Sequence, residues 1–230
     1  VELELHYAFN NMNNVFYATN GVTIFANLSR SLLHDVTVSY YGNSLPSVSG
    51  TTNGFTKASL KFEKRIPFKS KLTGIVQLNG SFIFEDKLKS DEVSFNDYGY
   101  AEKYFIGGIL PIPDKNSYDF PGLNQNELTV TQFMELEMAT QYMLSSNLYL
   151  TPHFNLASVG YGNFNEYIED AFYPKGNWPK QTNPSLLMSA GAKISYNSIV
   201  GPINFDTSWI NGINNVKLFI SLGLSFNVSN

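Results

Sequence analysis

The residues in this chain that are best placed to do chemistry are two carboxylates on alternate positions, Glu135 and Glu137. On an extended strand they share a face, about 7 Å apart by strand rise. A carboxylate pair at such a separation can do general acid–base work. Lys57, Lys61, Arg65 and Lys193 fall on polar positions of other apolar–polar alternations, so the plainer role for both glutamates is charge pairing across a shared interior. The histidines His6, His34 and His153 are scattered, and neither His-x-x-x-His nor His-Glu-x-x-His occurs; no metal site and no cofactor is expected. His153 lies on the polar parity with Tyr149 and Asn155 and reads as a lining residue rather than a base. A serine hydrolase of the nucleophile-elbow type needs Gly-x-Ser-x-Gly. Gly80-Ser81 and Ser189-Ala190-Gly191 have the wrong spacing, so no catalytic residue is assigned. The mixed run Asp86, Lys87, Lys89, Asp91 and Glu92 reads as a solvated loop, with a calcium or lipopolysaccharide contact as the sharper alternative.

Composition narrows the classes. With 15 Lys+Arg against 19 Asp+Glu, the net charge is -4, and no basic stripe is present to neutralise phosphates, so nucleic acid is not an expected partner. There are no cysteines, which removes disulfides and thiolate metal sites. Aromatic residues make up 15% of the chain. No apolar run nears the roughly 18 residues of a membrane helix, so any membrane-spanning element must be a strand. The opening VELELHYAF alternates and has no basic start or solid apolar run, unlike a signal peptide.

The elements that would hold these residues are strands of period two. The last stretch, Val216 to Phe226, sets the pattern: Val216, Leu218, Ile220, Leu222, Leu224 and Phe226 on one parity, Lys217, Phe219, Ser221, Gly223 and Ser225 on the other. Similar alternation marks Val1–Phe9, a second strand from Val22 continuing as far as Tyr41, Phe55–Ile66, Lys71–Phe84, Glu127–Leu144, Asn147–Tyr161, Ser185–Asn197 and Pro202–Ile210. That makes nine strands, many longer than the mean soluble strand of about 5–6 residues. Short turns at Pro67–Ser70, Ser145-Ser146 and Ser198–Gly201 alternate with long connections at 43–54, 85–126 and 162–183. This fits an all-β, antiparallel transmembrane β-barrel with short periplasmic turns and long external loops, its apolar stripes on lipid and its polar faces on a wet lumen. Residues 1–230 then form one barrel domain, with 85–126 as its long external loop. A soluble all-β protein with the stripes facing a core is the competing architecture. Nine is odd, whereas single-chain bacterial barrels usually have an even number. The chain is therefore expected to be the C-terminal part of a larger barrel, unless one strand escapes the pattern.

Five features in this order resemble a known family. They are Asn14 through Gly21-Val22, a Pro-turn hairpin, Phe105-x-Gly107-Gly108 opening the long loop, Ser198-x-x-Gly201-Pro202-Ile203-x-Phe205, and a last strand running Phe219 to Phe226. Together they resemble the bacterial surface-antigen barrel of the BamA/TamA-type outer-membrane superfamily. The resemblance implies a barrel of roughly sixteen strands, of which this chain would be the last nine, placed in the bacterial outer membrane. Phe105, Gly107, Gly108, Phe120 and Gly122 would belong to a loop folded back into the lumen, and Glu135, Glu137 and Lys193 would be lumen charges. Assembly members carry an Arg-Gly-aromatic tip in that loop. Here Tyr118-Asp119-Phe120-Pro121-Gly122-Leu123 has no Arg, and Asn126-Glu127-Leu128 follows, a variant similar to barrels fused to patatin-like phospholipases. The resemblance thus implies a translocator or anchor for an upstream lipase domain, with any catalytic centre outside these residues. A BamA-type assembly barrel and a stand-alone porin-like barrel are the alternatives. Implied partners are outer-membrane lipid, lipopolysaccharide, and an upstream lipase domain or another barrel chain.

Overall fold

A computed structural model describes residues 2–31, 34–38, 48–52, 54–85, 103–108, 116–182, 184–199 and 201–223. Nine strands form one antiparallel sheet in which neighbours in space follow one another in the chain. They are β1 (Glu2–Asn10), β2 (Gly21–Ser31), β5 (Phe55–Lys69), β6 (Leu72–Glu85), β10 (Gln132–Ser145), β11 (Leu148–Gly160), β12 (Ser185–Ser198), β13 (Gly201–Ile210) and β14 (Val216–Leu222). β1 and β14 are the two edges, and the sheet is not closed among the described residues. β5 has 15 residues and β6, β10 and β12 have 14 each, beyond the roughly 9–11 that cross a bilayer.

All nine expected strands are present, and the departures are local. β2 is bounded at Ser31, and β3 (His34–Val38), within the expected continuation of the second strand, pairs with β4 (Val48–Thr52), within the expected loop, as a separate two-stranded sheet. β5 runs through Pro67 to Lys69, and the register slips between those two residues, because proline has no N–H to give the ladder and sits at such irregularities. The stretch 127–144 is two strands, not one. β9 (Leu128–Val130) joins β7 (Tyr104–Gly107) and β8 (Ser117–Asp119) in a three-stranded sheet. The 162–183 connection holds helix α1 (Phe164–Asp170) and a short 3-10 turn at Trp178–Lys180. Leu224 and Phe226, and the charge run from Asp86 to Glu92, lie outside the described residues.

The large sheet has inverted polarity. Its outer face carries Leu5, Leu28, Leu60, Leu78, Ile194, Phe205, Leu218 and Ile220, all exposed, the last at 63%. Its inner face buries Lys57, Asn79, Ser81, Glu135, Asn155, Ser189 and Asp206. A water-soluble sheet does the opposite, and a bare apolar surface of this extent marks an interface. The inner face also has two zones along the strands. Toward the loop end, Ile83, Phe133, Val159, Leu187 and Ile210 meet Tyr104, Ile106, Phe120, Leu123 and Leu128 from the small sheet in one apolar core. Toward the turn end the same face is polar. The apolar parity expected for Leu128 and Val130 fails here: both are buried in that core at 2% and 0% exposure.

Candidate functional site

The loop end of the inner face is filled by residues 103–108 and 116–130. Strand β7 pairs in parallel with β8 and antiparallel with β9, so both branches of the long connection are stitched together. Tyr118 lies edge-on to Phe133 at 4.4 Å between centroids and shares a hydrogen bond with the Ser81 hydroxyl. Lys61 Nζ sits 4.2 Å from the Tyr118 ring centroid, a cation–π contact inside the fold. Gln132 anchors the wall, accepting from the Ile83 N–H at 3.1 Å and donating to the Ile83 carbonyl at 2.7 Å.

The five loop residues picked out by sequence, Phe105, Gly107, Gly108, Phe120 and Gly122, lie in or beside the small sheet. Phe120 is 1% exposed within the core, and its N–H donates to the Gly107 carbonyl. Phe105, half-buried, pairs with Ser117 and Thr129. Gly107 and Gly108 are glycines because of close approach. A Cβ at Gly107 would strike the Asn126 backbone, and one at Gly108 would strike the Leu123 carbonyl and the Phe219 ring. Gly122, at φ +95°, presses against Ile210. Glu127 accepts from the Asn124 N–H at 2.6 Å and from Lys217 Nζ at 3.3 Å. The foot of the plug is therefore tied to the final strand.

The turn end is covered by residues 11–20, between β1 and β2. Asn13 builds this turn, its side-chain oxygen accepting from the N–H groups of Thr19 at 2.9 Å and Asn20 at 3.2 Å. The turn reaches across the inner face. Tyr17 stacks on Tyr149 of β11, with centroids 4.1 Å apart and planes 10° from parallel. Arg65 donates to the Ala18 carbonyl at 2.9 Å and to Gln141 Oε1 at 3.1 Å.

Between plug and turn lies a polar cavity of ≈ 370 Å³. It is bordered by Asp119 and Pro121 from the plug, Phe16 and Tyr17 from the turn, and Arg65, Glu137, His153, Lys193 and Asp206 from the sheet. His153 Nε2 is 3.2 Å from an Asp206 carboxylate oxygen, and its Nδ1 is 3.1 Å from Asn155 Oδ1. Lys193 is the register partner of Asp206. The ion pairs among the described residues do not include the expected pairing of Glu135 and Glu137 with cations. Glu135 accepts from Asn79 at 2.8 Å and Asn155 at 3.3 Å, while Arg65 takes Glu63 at 2.6 Å. Amides satisfy the buried carboxylate because Asn79 stands opposite it on β6, and Asn155 reaches it diagonally on β11, two residues from its direct partner Ala157. Asp206 and the Tyr17–Tyr149 stack were not singled out from sequence. Asp206 stood on the polar parity of β13 without a visible partner, and a contact 132 positions apart along the chain leaves no local trace.

The cluster His153, Asp206 and Ser208 contains the residue types of a hydrolase triad in the wrong order. The Ser208 hydroxyl donates to Asp206, not to His153, so no base is set to activate it. The arrangement holds charge and shape.

Neither a scan against protein-family models nor a search of curated proteins gives a match. Among solved structures, the chain is similar to BamA from Haemophilus ducreyi lacking POTRA domains 1–3, with a TM-score of 0.59 and 14% identity. That similarity covers 95% of this chain and 40% of the other, so this chain spans well under half of that structure. At this identity the likeness is one of fold: an all-β chain whose large antiparallel sheet superimposes on a barrel protein.

Proposed function

We propose that this chain is the C-terminal part of an outer-membrane β-barrel, with the outer face of its sheet on lipid and the inner face lining a lumen closed by its own loop and turn. The inverted polarity of the nine-stranded sheet carries this reading. In a bilayer the exposed leucines and isoleucines are covered, and a closed barrel leaves no backbone group unpaired in hydrocarbon. The chain direction then sets the turns after Lys69, Ser145 and Ser198 on the periplasmic side and the plug on the external side. Cell fractionation with alkaline extraction, together with heat-modifiable migration on gels, tests the placement. The chain is expected in the alkali-resistant outer-membrane fraction as a faster-migrating folded band, and recovery in the soluble fraction would overturn it.

The finer role we propose is translocator or anchor for a patatin-like lipase domain. Its support is the loop stretch 118–123 without an Arg, followed by Asn126-Glu127-Leu128, with Glu127 held by Lys217 rather than the tip held by an Arg. Intact mass and N-terminal sequencing of the native protein test it. A chain well above 25.8 kDa with an upstream Gly-x-Ser-x-Gly domain is the expected result, and a mass near that value would overturn it. The second reading, a barrel that assembles other barrels, rests on the fold likeness. It would be recognised by cross-links from β14 to nascent strands.

A further inference from the structure

The outer face carries an apolar groove. At one level of the sheet the register aligns Leu60, Gly80, Met134, Ser158 and Leu186 across five strands. Gly80 and Ser158 are the small members of that row. Beneath them the next outer level carries Leu78, Leu136 and Leu156, which form one wall of an apolar groove of ≈ 430 Å³. The connection after β11 folds back over this groove instead of away from the sheet. Helix α1 is clamped on the outer face by Phe164 against Phe82 (5.5 Å) and Phe84 (4.5 Å). The Tyr167 hydroxyl donates to the Ser158 carbonyl at 3.0 Å. Ala171, Phe172 and Pro174 then roof the groove. Phe172 and Tyr173 remain 75% and 82% exposed, and Lys175 beside them is 83% exposed, with Asp170 3.6 Å away.

We propose that this groove holds one acyl chain of a phosphate-bearing membrane lipid, with Lys175 at the headgroup. The inference rests on the reading that the outer face meets lipid. Given that reading, the groove opens onto hydrocarbon and its lining is mainly apolar; of its polar members, Asn79 and Glu135 are bonded to each other on the inner face. Exposed aromatics with a lysine beside them are the side chains that settle at a bilayer's polar boundary. A roofed slot immobilises a chain that a smooth barrel wall would let diffuse.

Native mass spectrometry of the full chain in micelles doped with phosphatidylglycerol reads the occupancy. Gly80→Leu fills the floor. A Cβ there meets the Phe82 ring at 3.5 Å and the Phe133 carbonyl at 4.0 Å, ordinary contact distances, so the backbone accepts it. Phe172→Ser removes the roof at a position that folding does not need. The wild-type chain is expected to retain one lipid. Both variants are expected to lose it by about tenfold, equivalent to withdrawing about two methylenes from apolar contact. Leu218→Val, on the same face outside the groove, is expected to leave retention unchanged. Equal retention in wild type and both variants, or none in the wild type, would overturn the site while alkali-resistant membrane recovery leaves the barrel reading standing. Failure of that recovery would remove both.

Discussion

The two ends of the interior are closed by different physics. At the loop end, strand walls and plug share an apolar core whose members Phe120, Leu123, Val130 and Val159 are at most 1% exposed. At the turn end, one ring stack and the hydrogen bonds of Arg65 and Gln141 hold residues 17 and 18 across a polar surface. Burial of apolar area is non-directional and survives small shifts. Hydrogen bonds exchanged against water contribute little net stability and fail together when the geometry slips. The plug is thus built as a permanent part of the wall, and the turn as the part that opens first.

Substitutions can break or sharpen this contrast. Phe120→Ala empties a fully packed position and should cost about 3–5 kcal/mol, read as a lowered urea midpoint in micelles. Arg65→Ala removes a charged donor from the turn and should cost about 1.5–3 kcal/mol. It should also raise ion conductance in planar bilayers, which Phe120→Ala should do only near its unfolding range. Tyr17→Ala loses a partly exposed stack, about 0.5–1.5 kcal/mol, and should expose the 11–20 turn to protease added from the side proposed to be periplasmic. Lys217→Ala breaks a pair whose side chains are 20% and 24% exposed and should cost no more than about 1 kcal/mol, leaving conductance at its wild-type value. Equal costs for Phe120→Ala and Tyr17→Ala would erase the distinction between the ends.

The strands were legible because their signal is local. Period-two alternation over ten or more residues fixes which side chains share a face, and all nine strands of the large sheet follow from it. The same alternation puts Glu135, Glu137 and Lys193 on the polar parity of β10 and β12. What escaped was set by distant chain. Leu187, Phe133 and Ile83 are apolar residues on the polar parity, and nothing near them in sequence says that a loop will come to cover them. Helix α1 escaped because its seven residues are too short for a 3.6-residue period to show. It is held by Phe82 and Phe84, some eighty positions earlier. The glycines at 107 and 108 were noticed, but the groups that crowd them come from Asn124, Asn126 and Phe219.

Thr131 alone separates β9 of the plug from β10 of the wall, its hydroxyl bonded to the carbonyls of Gly160 and Gly162. Val130 and Gln132 on either side are both buried, so the chain changes sheets without a loop. Mechanically this is a weld rather than a tether: the short sheet and the wall share one unbroken backbone at Thr131, so a load applied to β9 passes straight into β10 and is spread over its ladders with β6 and β11.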